Sequence, residues 1–358
     1  MEGYMPNSGN PTIAVRSGEE LDIGLIDKLL KANIVGLSGS PKISQFPSGH
    51  SNLTYMVSYA NRNLVLRRPP QGTKPKSGHS MLREYSVMKA LKPLYKSVPD
   101  ALHYEGHDSE LGAEFYVMDR VDGDILHKTI PANWGFGASE GRHLCTAFFD
   151  KLIELHNVDY KAAGLSDFGK PEGYVRRQIT GWNGRFERAK TPDIEDFSDV
   201  CKWLDENCPP ESGEVSILHG DFRLDNVILN KNDHFNILAV LDWEISALGD
   251  PLMDLGNTLA YWTEASDPAP FKVLSMQPSM GEGMMTRAEV VEYYCEKRKV
   301  KVPNINFYLA YGTFRLAVIL QQIYYRFYHG QTKNAIFESF AEQVNMLGNH
   351  TRLLIEKP

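Results

Sequence analysis

Apolar residues recur at helical spacing from Glu19, with Leu21, Leu25, Ile26, Leu29 and Leu30 on one face, and predict a first helix ending near the Gly36–Ser40 loop. The period changes between Lys42 and Arg68. β-Branched and aromatic content rises there, and the turn clusters Pro47-Ser48-Gly49-His50 and Asn61-Arg62-Asn63 divide the stretch, predicting an antiparallel meander that Pro69-Pro70 stops. A helix over His79–Leu94 follows, with Leu82, Tyr85, Met88, Ala90 and Leu91 toward a core, then strands near Ala101–Glu105 and Glu114–Met118. After Val121-Asp122-Gly123 the pattern is mainly helical, over 139–157, 171–188 and 196–207. Short β segments at 215–218, 226–230 and 236–241 come next, and then helices to the C-terminus, among them the aromatic stretch Tyr308–Tyr328. Residues 1–18 have no periodicity and read as a loose arm. The pattern therefore predicts an α+β protein of two lobes: residues 19–121, a small antiparallel sheet with one helix, and residues 122–358, larger and mainly helical, hinged at Asp122-Gly123.

Composition narrows the class. With 42% hydrophobic and 23% charged residues in 358, the chain can bury a sizeable core. A net charge of -7 argues against a general nucleic-acid binder, whose affinity would come from neutralising phosphates. Cys145, Cys201, Cys208 and Cys295 stand singly, without a CxxC pair, and read as buried thiols in a reducing compartment. The first thirty residues show no basic segment followed by an apolar one, and even the longest apolar runs, such as Leu316–Leu320, are far short of a membrane span. The expectation is a cytoplasmic protein with no membrane or nucleic-acid partner.

The chemistry concentrates in His219-Gly220-Asp221-Phe222-Arg223-Leu224-Asp225-Asn226, set between the apolar runs Val215–Leu218 and Val227–Leu229. A second apolar run, Ile237–Leu241, ends in Asp242-Trp243-Glu244 and leads into Gly249-Asp250-Pro251 and Asp254-Leu255-Gly256. Phosphoryl transfer needs such a set: a carboxylate to orient an attacking hydroxyl and take its proton, and oxygen ligands to hold magnesium against nucleotide phosphates. Asp221 suits the first role, Asn226 and Asp242 the second, and the Arg223 guanidinium can offset charge on the migrating phosphoryl. His219 reads as a prop for the backbone, and Asp250 and Asp254 as helix caps that brace the loop. For Asp225 and Glu244 the sequence leaves the role open.

HGDxxxxN followed by DWE and GDPxxDLG resembles the aminoglycoside phosphotransferase and choline kinase-like branch of the protein-kinase-like fold, over about Leu37 to residue 330. The resemblance implies ATP, or GTP, as phosphoryl donor with Mg2+, Asp221 as catalytic aspartate, and Asn226 and Asp242 as magnesium ligands. It also places a phosphate-covering loop at Ser48, Gly49 and His50, and an adenine-binding backbone segment over Met118, Asp119 and Val121. The family's nucleotide-anchoring lysine is missing from Leu64-Val65-Leu66-Arg67-Arg68. Arg67, sharing a strand face with Val65, is assigned its role with Glu84 as its ion-pair partner, and Arg68 stays open as the alternative. Leu-Arg-Arg-Pro-Pro, His-Gly-Asp-Phe-Arg-Leu-Asp-Asn and Gly181-Trp182-Asn183-Gly184-Arg185-Phe186-Glu187 are most similar to the kinase-like domain fused to some acyl-CoA dehydrogenases, and to its free-standing bacterial relatives. That subgroup implies hydroxyacyl thioester acceptors.

Charge bears on the acceptor. From Asn257 to Pro358 there are 11 Lys and Arg against 9 Asp and Glu, including Arg315 and Arg326, so the acidic excess lies earlier in the chain. A small-molecule alcohol that is anionic or neutral, such as a hydroxyacyl-CoA, fits such a segment better than a polycationic aminoglycoside. An aminoglycoside phosphotransferase and a catalytically silent nucleotide-binding protein are the alternatives, and a homodimer stays open.

Overall fold

The computed structural model describes residues 12–47, 52–70, 80–210, 213–302 and 304–356. In chain order the elements are α1 (Ile23–Asn33), β1 (Lys42–Gln45), β2 (Leu53–Ser58), β3 (Asn63–Arg68), α2 (Met81–Leu91), β4 (Ala101–Glu105) and β5 (Phe115–Asp119). Then come α3 (Ala138–His156), α4 (Tyr174–Arg188), α5 (Ser198–Glu206), β6 (Ser216–Leu218), β7 (Val227–Asn230), β8 (Asp233–Val240) and β9 (Ala247–Gly249). The chain closes with α6 (Pro251–Ala260), α7 (Ala269–Val273), α8 (Arg287–Arg298), α9 (Ile305–Tyr328) and α10 (Phe340–Ile355). It divides into two compact units, one drawn from 1–125, 160–165 and 226–246, the other from 126–159, 166–225 and 247–358.

In the first unit the five strands pair antiparallel in the order β1-β2-β3-β5-β4. Alternation sets the faces: Tyr55 and Val57 of β2, Leu64 and Leu66 of β3 and Phe115 and Val117 of β5 are fully buried in one cluster with Ile26 and Leu30 of α1. Asp22 caps α1, accepting from the Leu25 amide at 2.9 Å. Of the expected N-terminal arm, Ile13 is described pairing with Gln45 as an antiparallel bridge. Helix α2 presents a different face from the expected one. Met81, Glu84, Val87, Met88 and Leu91 are buried, whereas Leu82 is 48% exposed. The helix is turned so that the Glu84 carboxylate, not Leu82, reaches inward. The β7–β8 ribbon also belongs to this unit, tied by the Val240 amide to the Ser97 carbonyl at 2.8 Å and by the Leu229–Asp124 bridge.

The second unit is mainly helical. Among its described residues one strand pair forms, β6 with β9; the pattern predicts β6, whereas β9 has three residues, too few to show a period. Phe148, Phe149, Phe222 and Trp262 form a buried aromatic cluster, with Phe148 and Phe222 ring centroids 4.7 Å apart. Helices α6 and α9 touch backbone to backbone through Gly256 and Gly312; a Cβ on Gly312 would lie 2.2 Å from the Gly256 carbonyl oxygen. All four cysteines are free thiols; Cys145 is buried and the other three are partly exposed, less hidden than expected.

Candidate active site

In the first unit the site residues gather around Arg67. Strand alternation points Arg67 away from the Leu64–Leu66 face, and its guanidinium meets the Glu84 carboxylate of α2 in an ion pair. The Glu84 side chain is 1% exposed and that of Arg67 is 13% exposed. Arg67 also lies 3.3 Å from Asp242 Oδ1 and 3.5 Å from the Tyr116 hydroxyl. Burial pushes the Glu84 carboxyl up to about 7, against the pull of Arg67, while the carboxylates around Arg67 outweigh its own burial and hold it firmly charged. Arg68 lies on the opposite face, buried, with Nε 3.4 Å from the Pro69 carbonyl.

Asp242 opens a tightly held turn. Its φ is 68°, left-handed backbone that an aspartate adopts at a cost. The following residues hold it there: Trp243 is fully buried, its indole N–H donates to the Val240 carbonyl at 2.9 Å, and the Ser246 hydroxyl donates to the Trp243 carbonyl at 2.7 Å. The Leu241 amide donates to the Asn226 carbonyl at 2.8 Å, so Asn226 and Asp242 stand at the same end of the β7–β8 ribbon. One carboxylate and one amide oxygen are hard donors of the kind magnesium takes alongside phosphate oxygens. Among the described residues no three His, Cys, Asp or Glu side chains cluster into a metal site of their own. Glu244 accepts from the Asn52 amide at 3.2 Å, a contact the sequence did not suggest.

Ser48, Gly49 and His50 lie outside the described residues. Met118 and Asp119 end β5; the Asp119 amide donates to the Asp100 carbonyl at 3.0 Å, and its carboxylate takes two bonds from Arg62, at 2.7 and 2.6 Å. Val121 follows the strand, partly exposed.

In the second unit the stretch 221–225 alternates. Phe222 and Leu224 are fully buried, leaving Asp221, Arg223 and Asp225 on the other side. Arg223 Nε lies 3.3 Å from Asp221 Oδ1 and 3.2 Å from Asp225 Oδ1, and its guanidinium stands 4.8 Å from the Tyr261 ring centroid. Burial raises the Asp225 carboxyl above its ordinary value despite Arg223. Asp254, on the first turn of α6, clamps the loop from beneath: its carboxylate accepts from the His219 amide at 2.7 Å, the Gly220 amide at 2.8 Å and His156 Nε2 at 3.2 Å. Burial alone would raise Asp254, but His156 and the His219 amide bring it below the usual carboxylate range. Burial lowers His156, against the pull of Asp254, and its other nitrogen meets the Tyr294 hydroxyl at 2.7 Å. His219 Nδ1 accepts from the Asp221 amide at 3.2 Å, the propping role its position suggested.

Three further residues act on this loop. Arg315, buried on α9, donates to the Gly220 carbonyl at 3.2 Å and lies 5.3 Å from the Trp182 ring centroid. Gln277 accepts from the Leu224 amide at 2.8 Å and donates to the Tyr261 carbonyl at 3.1 Å. Arg315 had a sequence signal, its charge in an aromatic helix; Gln277 and Tyr261 had none. Arg326, grouped with Arg315 in the sequence, is exposed in the last turn of α9.

A small antiparallel sheet carrying a buried Arg–Glu pair, and a helical unit carrying an HGD loop, define a small-molecule kinase of protein-kinase-like fold. The chain belongs to the phosphotransferase enzyme family APH, whose model matches residues 42–285. It is 33% identical to acyl-CoA dehydrogenase family member 11 of Gallus gallus, over 94% of this chain and 44% of that protein. It is 35% identical to family member 10 of Mus musculus, over 93% of this chain and 31% of that protein. The chain thus spans less than half the length of these relatives. Among solved structures, a Ralstonia eutropha protein described provisionally as an aminoglycoside phosphotransferase is 28% identical, with a TM-score of 0.81, covering 94% of this chain and 98% of that one. Choline kinase from Cryptosporidium parvum shares the fold at 15% identity and a TM-score of 0.62, over 93% of this chain and 95% of its own. No helix among the described residues is long and apolar enough to cross a membrane.

Proposed function

We propose that this protein transfers the γ-phosphoryl group of ATP to the hydroxyl of a small-molecule alcohol that is anionic or neutral, a hydroxyacyl-CoA being the leading candidate. The observation that carries the reading is the Asp221–Arg223 pair on a loop clamped by Asp254. In this role Asp221 orients the acceptor hydroxyl and takes its proton as the new O–P bond forms and the bond to ADP breaks. Arg223 offsets charge on the transferred group. Asn226 and Asp242 would hold Mg2+, which neutralises phosphate charge when bound, and Arg67, positioned by Glu84, would grip phosphate in place of a lysine. A family neighbour, aminoglycoside phosphotransferase APH(4)-Ia, has been solved with AMP-PNP and hygromycin B, which supports a nucleotide donor.

The second unit bears on the acceptor's charge. The aromatic faces that would welcome a cationic substrate already carry cations: Arg223 stands over Tyr261 and Arg315 over Trp182. A polycationic aminoglycoside would meet like charge there. The deciding experiment is magnesium-dependent ATP consumption across a panel of hydroxyacyl thioesters, simple alcohols and kanamycin-like compounds, set against Asp221→Ala. The reading requires turnover of a non-cationic alcohol and a loss of about 10²–10⁴ in rate in the variant, with ATP affinity kept. Turnover of aminoglycosides alone, or ATP binding with no acceptor turned over, would refute it.

A further inference from the structure

Within the second unit a cavity of about 340 Å³ opens between two segments: Ile130, Pro131, Ala132 and Phe136 on one side, Pro278 and Met280 on the other. Its size is at the lower end of small-molecule sites. Its walls are closely packed. A Cβ on Gly283 would lie 1.9 Å from the Ala138 carbonyl oxygen, and one on Gly141 would lie 1.9 Å from that of Glu282, so the second wall is pressed backbone to backbone against the start of α3. On the first wall a 3-10 turn over Ala132–Trp134 is closed by left-handed Gly135, and the Trp134 and Phe136 rings pack 5.4 Å apart.

The cavity is joined to the HGD loop through its second wall. Pro278 directly follows Gln277, whose amide binds the Leu224 backbone within that loop and the carbonyl of Tyr261, the ring beneath Arg223. The charged residues at the lining, Lys128 and Glu282, are one of each sign, so the site favours no net charge. An apolar, preformed hollow whose wall adjoins Gln277, a residue bonded to that loop, calls for an uncharged, apolar part of the molecule phosphorylated there.

We infer that this cavity takes the aliphatic arm of the acceptor alcohol, so that the enzyme prefers alcohols carrying a long unbranched chain. The inference rests on the proposed phosphoryl transfer and adds a chain-length rule to it. Each methylene taken from water into such a lining is worth about fourfold in affinity.

The probes are 3-hydroxybutyrate and 3-hydroxydecanoate, titrated by calorimetry into the full chain, the parent against Ala132→Trp and Met280→Trp, which fill the hollow from opposite walls. The parent should bind the longer probe at least 30-fold more tightly, and each variant should cut that ratio below threefold while leaving 3-hydroxybutyrate affinity unchanged. Two variants from separate segments keep the test alive if one fails to fold. A parent ratio below threefold, or a ratio kept in both variants, overturns the inference. Because calorimetry reads binding without turnover, the intact ratio with no phosphorylation of either probe or of its CoA thioester sinks the proposed activity alone. Equal phosphorylation of both probes with no binding preference sinks the cavity's role alone.

Discussion

Asp254→Asn tests the central structural claim, that one buried carboxylate holds the reacting loop in place. Asp254 and its neighbour in sequence, Asp250, are both buried, but they do different work. Asp250 is the N-cap of α6, accepting from the Leu252 amide at 2.8 Å and meeting the Tyr308 hydroxyl; asparagine keeps an oxygen for the cap, so Asp250→Asn should cost about 1 kcal/mol. Asp254 accepts two amides of the loop and a histidine. An asparagine there keeps one oxygen and turns an NH2 toward a second donor. The loss is one charge-assisted bond, about 1.5–3 kcal/mol, plus an unsatisfied buried amide, about 1–3 kcal/mol. A destabilisation of about 4 kcal/mol is expected, on the order of 10 °C in melting temperature. Release of Gly220 should also move Asp221, and a shift of about 1 Å costs about 100-fold in kcat. Urea titration of the two variants measures the first effect, and acceptor kinetics at saturating ATP the second. The pH dependence supplies a further arm. His156 is depressed below its ordinary 6.5, so the unfolded chain binds more protons and stability should decline as pH falls below 6.5. Asp254, itself depressed below 3.8, adds a second loss as pH falls beneath that value. If Asp254→Asn proved as mild as Asp250→Asn in both assays, the clamp would not exist.

Other predictions follow from the same geometry. Glu84 titrates near 7 in the fold against 4.5 unfolded, so the folded state holds the extra proton between those values and stability should fall by up to about 3 kcal/mol as pH rises across them; Glu84→Gln should flatten that slope in urea titrations. Arg315→Met frees the Gly220 carbonyl and removes a buried positive charge beside the loop; kcat should drop at least tenfold while KM for ATP stays within twofold, and Arg315→Lys should recover part of the loss. Asp242→Asn should weaken magnesium-nucleotide binding about tenfold by calorimetry, with little change when magnesium is left out.

The meander of the first unit was legible because its turns carry strong signals: Asn61-Arg62 lies between β2 and β3, and Pro69-Pro70 directly follows β3. The HGD loop was legible because its polar residues interrupt apolar strands at fixed spacing. Helix α2 was misfaced because an apolar count ranks Leu82 above Glu84, and only the Arg67 guanidinium opposite makes a buried glutamate affordable. Gln277 and Tyr261 were invisible for another reason. Gln277 acts on backbone groups far along the chain, which leave no mark on composition or period, and Tyr261 meets Arg223 across 38 residues, a pairing that no local pattern shows. The membership of residues 226–246 in the first unit was equally hidden, resting on carbonyl and amide partners such as Ser97 and Val240.

The glycine contact between α6 and α9 decides how this protein can vary. Asp254 rides on one of those helices and Arg315 on the other, and with no side chains between Gly256 and Gly312 neither helix can slide without the other. The two braces of the loop therefore form one mount, which tolerates little substitution. The walls at Ala132 and Met280 lie outside that mount. With the cavity in the role inferred for it, acceptor choice would drift by exchanging residues there while the Asp254–Arg315 mount keeps its alignment, and substrate range and catalytic competence would be separable by mutation in this scaffold.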